Sequence, residues 1–221
     1  MDIISYLLGK NSSGGGGGST SKYFQPTITA GSSSNSAPTA VLSMIKTIPE
    51  NTIVEGNSLA YSFKYYQGET IPLLDTSNVT NMSYMFRGSN NLKTIPLLDT
   101  SRVTNMGNMF QDCTGLIEIP LLNTAEVIYM GTMFNGCTRL ETIPILNTSK
   151  ATSIGNMFAG CRSLTDNSLD NILQMCINAV SYTGTKTLAV VGFTNAYYSA
   201  ERIQALPHYQ DFINTGWTIG Y

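Results

Sequence analysis

Charge is scarce in this chain: 12% of its 221 residues are Asp, Glu, Lys or Arg, and the formal net charge is −2. No run of Lys or Arg could track phosphates or an anionic membrane, so nucleic acid is not an expected partner. Histidine occurs once, as His208, and the four cysteines, Cys113, Cys137, Cys161 and Cys176, include no C-x-x-C pair. A zinc set at metal-ligand spacing cannot be assembled from these residues, which read as packed thiols. Long apolar runs are also missing. The apolar stretch Ile3 to Leu8 is too short for a membrane span, and neither a basic leader nor a small-residue cleavage site accompanies it, so no export signal is expected. Catalytic inventory is equally thin. There is no G-x-S-x-G and no phosphate loop, Asp75 and Asp99 belong to a repeating turn column, and Asp166, Asp170 and Glu201 read as isolated surface or cap residues. Neither an enzyme nor a cofactor is expected.

Hydrophobic residues make up 42% of the chain, enough for a buried core in one or two domains. The first forty residues read differently. "NSSGGGGGSTS", Asn11 to Ser21, and "GSSSNSAPT", Gly31 to Thr39, have the composition of flexible coil, with "KYFQPTITA" between them as a short extended segment. Residues 1–40 are therefore expected to form a flexible N-terminal arm. Its tip carries Ile3, Ile4, Tyr6, Leu7 and Leu8, too few to fold alone, and these are the candidate residues for docking onto a partner.

The centre of the chain repeats itself. "TIPLLDTSNVTNMSYMF", from Thr70, returns as "TIPLLDTSRVTNMGNMF", from Thr94, and four units of 24 residues follow one another without insertion: Thr70 to Lys93, Thr94 to Ile117, Glu118 to Glu141 and Thr142 to Thr165. A fixed period of this size marks a repeat solenoid, in which each unit buries its apolar side on its neighbours. The apolar columns are Ile71, Ile95, Ile119, Ile143, then Leu73, Leu97, Leu121, Ile145, then Leu92, Leu116, Leu140, Leu164, and the Met-Phe pairs Met85-Phe86 to Met157-Phe158. The first two are expected to point inward from a short parallel strand, which gives the L-x-x-I-x-L spacing of a leucine-rich repeat. Asp75, Asp99, Asn123 and Asn147, each followed by threonine, read as turn ladders, and the column Pro72, Pro96, Pro120, Pro144 requires the strand to be very short or to end there. Cys113, Cys137 and Cys161 stack in a column that begins with Ser89.

Both flanks are expected to close the array, since an open end would expose apolar columns and a sheet edge. Residues 41–69 form a degenerate N-terminal cap repeat, and residues 166–221 an α+β C-terminal cap. Within the latter, "DNSLDNILQMCINAV" has helix spacing with Ser168 as the expected cap, "KTLAVVGF" reads as a strand, "SAERIQAL" as a helix, and "WTIGY" as a closing strand.

"MGNMFQDCTGLIEIP", "MGTMFNGCTRLETIP" and "DTSNVTNMSYMF" resemble the BspA-like leucine-rich repeats of bacterial surface proteins over residues 70–165. That resemblance implies adhesion or recognition and no catalytic residues. The tail, "SLDNILQMCINAVSYTGTKTLAVVGF" with "ALPHYQDFINTGWTIGY", resembles uncharacterised proteins of phages and prophages of gut Firmicutes. The expectation is thus a bacteriophage virion display protein, docked to another virion subunit by its arm and binding a host-surface protein or glycan. The alternative is a bacterial cell-surface or secreted adhesin. Homo-oligomerisation is left open. If the leucine-rich template holds, the outward residues Lys93, Thr94, Glu118, Glu141 and Thr142 form the candidate binding face.

Overall fold

The computed structural model describes residues 27–29, 47–48, 52–189 and 198–220. The expected docking residues Ile3, Ile4, Tyr6, Leu7 and Leu8 lie outside them. In chain order the regular elements are β1 (Thr27–Thr29), β2 (Ile53–Glu55), α1 (Asp166–Asn178), β3 (Thr187–Ala189), α2 (Ala200–Gln204), α3 (Tyr209–Asn214) and β4 (Thr218–Gly220). β1 and β2 pair in parallel, with Thr27 opposite Ile53. A segment inside the expected arm therefore joins the folded body, because its β-branched Thr-Ile-Thr suits a strand.

Residues 57–165 contain no regular helix or long strand, yet their backbone is systematically bonded from one unit to the next. Met82, Tyr84, Phe86 and Gly88 donate forward to the carbonyls of Asn105, Gly107, Met109 and Gln111. Met106, Asn108, Phe110 and Asp112 repeat this toward Tyr129, Gly131, Met133 and Asn135. The amides between them turn back within their own unit, as Met85 to Met82 O, Arg87 to Tyr84 O and Ser89 to Phe86 O. Amides alternate between the two uses, so the segment closes its backbone accounts without a helix or a wide sheet. The parallel strands expected from the sequence are here reduced to isolated bridges, Ser58–Asn81–Asn105–Tyr129–Ser153 and Glu118–Thr142.

This register places equivalent side chains over one another. The rings of Phe63, Phe86, Phe110, Phe134 and Phe158 form a buried stack with centroid separations of 5.6, 5.6, 5.5 and 5.5 Å and interplanar angles of 12° or less. Around it Met82, Met106 and Met130, and Val79, Val103 and Val127, are buried in the same core. Phe63 and the buried Leu59 show that the degenerate unit already carries this part of the pattern.

One column departs from expectation. Leu73, Leu97, Leu121 and Ile145 are 66, 61, 63 and 46% exposed, whereas their neighbours Leu74, Leu98, Leu122 and Leu146 are buried. The inward sequence is Leu92-x-x-Ile95-x-x-Leu98, a spacing of three, so an alternating strand does not describe it. The cause is the proline column. Pro72, Pro96, Pro120 and Pro144 have no amide to donate, and the inter-unit ladder on this face is confined to the residues just before them: Lys93 to Glu69 O, Ile117 to Lys93 O, and Glu141 and Thr142 to Ile117 O.

At each corner the Asx side chain accepts from the amide two residues on, as Asp75 from Ser77, Asp99 from Ser101, Asn123 from Ala125 and Asn147 from Ser149. The buried threonines beside them donate across units, from Thr76, Thr100 and Thr124 to the carbonyls of Asp99, Asn123 and Asn147. At the last unit the partner is α1: Thr148 donates to Met175 O, and Asn171 Nδ2 donates to Ile143 O. The helix is capped by Thr165, not by Ser168. Ser168 is buried in the first turn, where its hydroxyl accepts from the Ile143 amide and donates to Glu141 O, which continues the ladder onto the helix. Beyond α1, β3 pairs in parallel with β4, Thr187 opposite Thr218, and Phe212 and Trp217 are buried beneath them. The expected strand Lys186 to Phe193 is described as far as Ala189.

The two adjacent leucines of the third unit separate the two registers. Leu122→Asp should place an unpaired charge in the core and abolish cooperative unfolding, and Leu122→Ala should cost about 2–5 kcal/mol. Leu121→Asp should stay within about 0.5 kcal/mol of the parent. Urea unfolding measures both, and equal losses at the two positions would contradict the burial described.

Candidate functional site

The segment that opens each unit builds the most regular exposed surface. One amide enters the ladder, proline stops it, and the next residue is turned outward while the one after it is buried. Leu73, Leu97, Leu121 and Ile145 consequently stand in one column at the spacing of paired backbones, about 4.8 Å per unit, or about 14 Å for the four. Half-buried Pro72, Pro96, Pro120 and Pro144 lie beside them. Single exposed leucines are ordinary on protein surfaces, but a contiguous row is not.

Polar residues border this stripe on both sides. Along one edge run the residues expected to form the binding face: Lys93, Glu118, Glu141 and Thr142 are exposed and Thr94 is half-buried. The ladder through Lys93, Ile117 and Glu141 and the Glu118–Thr142 bridge bring all five onto successive units of one face. Lys93 Nζ lies 2.7 Å from Glu69 Oε2, an exposed pair that contributes little to stability. Along the other edge are Asp75 and Asp99, whose carboxyls are held below the usual range first by the Ser77 and Ser101 hydroxyls. The sequence reading missed the four apolar residues themselves and assigned them to the core. The signal was the doubled leucine, Leu73-Leu74, Leu97-Leu98 and Leu121-Leu122, of which only one can face inward.

Other groups with chemical potential are used structurally. Asp170, which read as isolated, is in contact with His208: His208 Nδ1 is 2.7 Å from Asp170 Oδ2, and the His208 amide donates to Asp170 Oδ1. The pair joins α1 to the start of α3. Asp166 likewise pairs with Arg202 of α2. A crevice of about 20 Å³ lined by Phe158, Met175, Leu188 and Trp217 lies between the last unit and the cap, room for a water and not for a substrate. Among the described residues no three His, Cys, Asp or Glu converge to hold a metal ion, and no helix is long and apolar enough to cross a membrane.

The cysteine column is buried throughout. Cys113, Cys137 and Cys161 donate their thiols to the carbonyls of Phe86, Phe110 and Phe134 at 3.0 to 3.2 Å, the role that the Ser89 hydroxyl fills toward Phe63 O. Burial pushes the Cys113 and Cys161 thiols up to about 12, and that of Cys137 well above its ordinary value. Such thiols are poor nucleophiles.

Residues 57–172 match the family model described as "Mycoplasma protein of unknown function, DUF285", a span of more than half the chain that begins at the first stacked unit and ends inside α1. No curated protein and no solved structure matches the chain.

The folded chain should resist a thiol reagent at Cys113, Cys137 and Cys161, and the urea-unfolded chain should react at all three. The folded thiols keep protons that the unfolded chain loses above its ordinary value of 9.0, so stability should be full below about pH 9 and decline as pH rises toward 12. Mass spectrometry of labelled protein reads the first expectation and alkaline melting curves the second. Rapid labelling of the native column would refute the packing assignment.

Proposed function

Since the chain belongs to the DUF285 family, whose description names no activity, we propose its role from the surface it builds: a non-enzymatic recognition module of leucine-rich-type solenoid architecture that binds an extended partner along the Leu73–Leu97–Leu121–Ile145 stripe. The single observation behind this reading is that apolar row, repeated at every unit and edged by Lys93, Glu118, Glu141 and Thr142. A binding surface gains from apolar side chains held on a rigid backbone, because little ordering remains to be done when the partner arrives. The prolines and the inter-unit bonds supply that rigidity.

The setting we propose is a bacteriophage virion, with the solenoid displayed toward a host-surface protein or glycan and the N-terminal residues Ile3, Ile4, Tyr6, Leu7 and Leu8 docked on another virion subunit. The tail's resemblance to phage-encoded proteins supports this. A bacterial cell-surface or secreted adhesin is the second reading, favoured by a family description that refers to Mycoplasma proteins.

Leu97→Ser with Leu121→Ser removes the centre of the stripe at exposed positions and should leave the melting temperature nearly unchanged. Binding of the purified variant to host cells should fall by about tenfold or more. Deleting residues 1–10 should preserve that binding while the protein no longer copurifies with particles. Undiminished cell binding by the double variant would remove the stripe, and full-length protein found wall-bound on a bacterium would replace the virion with the adhesin.

A further inference from the structure

The spacing of the exposed row limits the shape of what can lie on it. Leu73, Leu97, Leu121 and Ile145 are 46 to 66% exposed, one in each unit, with a half-buried proline beside each. Two lengths bracket their separation. Paired backbones repeat at about 4.8 Å, and the phenylalanine rings inside the same units at 5.5 to 5.6 Å. One turn of α-helix rises about 5.4 Å, between these lengths, so a helix lying along the row offers one side chain per unit and drifts by no more than about 2 Å across all four. A strand laid the same way turns a side chain to one face every ~6.8 Å and is out of step by about 4 to 6 Å at the fourth unit.

The charge beside the row is of one sign. Glu69, Glu118 and Glu141 are exposed on the side before the prolines, and Asp75 and Asp99 on the side after them. The single cation among these columns is Lys93, whose ammonium is held 2.7 Å from Glu69 Oε2. Five negative charges and one positive leave −4 along the row, against −2 for the whole chain, so the negative charge is concentrated here. The next cations, Arg102 and Lys150, lie three residues past the Asx corner, where Arg102 donates to Asn78 Oδ1 and Lys150 pairs with Glu126.

We propose that the stripe seats a basic amphipathic α-helix of a partner protein, with apolar residues at intervals of three and four set on Leu73, Leu97, Leu121 and Ile145 and with lysines or arginines reaching the carboxylates on either side. Apolar contact along the row supplies the attraction. The methylenes of the basic side chains cover the edges of the stripe while their charged ends stay in water beside Glu118, Glu141, Asp75 and Asp99. Such exposed pairs contribute little one by one, but together they select against an acidic helix. The inference rests on the reading of the stripe as the recognition surface, and it specifies the conformation and the charge of the partner.

The test titrates full-length protein, by fluorescence anisotropy, against a labelled peptide of about 14 residues built from leucine and lysine, with the leucines at intervals of three and four. Two comparison peptides have the same length: one of the same composition with leucine and lysine alternating, and one with the helical pattern and glutamate in place of lysine. The helical lysine peptide should bind at least about tenfold tighter than either, and more weakly as salt rises. It should also gain helical signal in far-UV circular dichroism on binding, since so short a helix is marginal alone. Asp75→Asn, Asp99→Asn and Glu118→Thr together install residues that other units carry at these positions, so the fold should be kept while affinity falls at least about fivefold. Leu97→Ser with Leu121→Ser should weaken the peptide by about tenfold or more. The proposal is overturned if the glutamate peptide binds as well or if the charge variant binds like the parent, and these outcomes decide the matter even if the leucine variant folds poorly. Equal binding of the alternating peptide overturns the helix and leaves an extended chain on the same stripe. A folded leucine variant that binds the peptide undiminished overturns both the helix and the stripe, whereas a parent that binds none of the three peptides overturns the helix and leaves the stripe to the host-cell comparison.

Discussion

Everything in the repeated region depends on the alternation of backbone donors. In the segment from Met82 to Ser89, every second amide reaches the next unit and those between turn back within their own. This arrangement fixes the separation of the units, and with it the contact distance of the phenylalanine rings at 5.5 to 5.6 Å. Every second one of the forward-pointing positions, Tyr84 and Gly88 or Asn108 and Asp112, is left-handed, and glycine, asparagine and aspartate recur at these. A side chain that can donate to the phenylalanine carbonyl of the preceding unit is accepted at the next corner, so Ser89 and the three cysteines are physically equivalent despite their different chemistry.

The same ladder explains where the molecule is closed and where it is open. Along the stack each unit satisfies its neighbour, and the last unit finds its partners in α1 through Ser168, Asn171 and Met175. No described buried side-chain nitrogen or oxygen is left without a partner. Around the circumference the inter-unit backbone ladder is dense from Thr80 to Gly88, is a single bond at Lys93, and is absent from Thr94 to Val103, the stretch that contains Pro96. Leu73 and its equivalents stand outward in that ladder-free stretch, one residue after the proline.

Two surfaces of opposite character follow from one backbone. The leucine stripe is monotonous, since every unit repeats it, and suits a partner that runs along the stack. The cluster of Tyr61, Tyr65 and Tyr84 is singular, since it occurs where the degenerate unit meets the first full one. Tyr61, Tyr65 and Tyr84 take αL positions at that end, whereas the units behind it hold Asn, Asp, Gly or, at Thr132, a β-branched residue there.

The sequence by itself determined the period, the unit boundaries, the turn corners and the buried cysteine column, because a recurring residue type at fixed spacing reports the same environment each time. It also located the helix α1, though with Ser168 in place of Thr165 as its cap: two hydroxyl residues three positions apart compete for that role, and only the buried contact of Ser168 with Ile143 separates them. Only the tertiary structure decided the phase of the leucine columns. Leu73 and Leu74 are chemically identical, and periodicity reports that a column repeats without reporting which way it points. The direction is set by the backbone path on either side of proline, where the last inter-unit bond ends and the chain is free to turn. The stack of Tyr61 on Tyr84 was hidden for a related reason: Tyr61 lies in the unit that matches the repeat least well, and its contact, 23 residues away in the first full unit, falls one short of the period that made the rest legible.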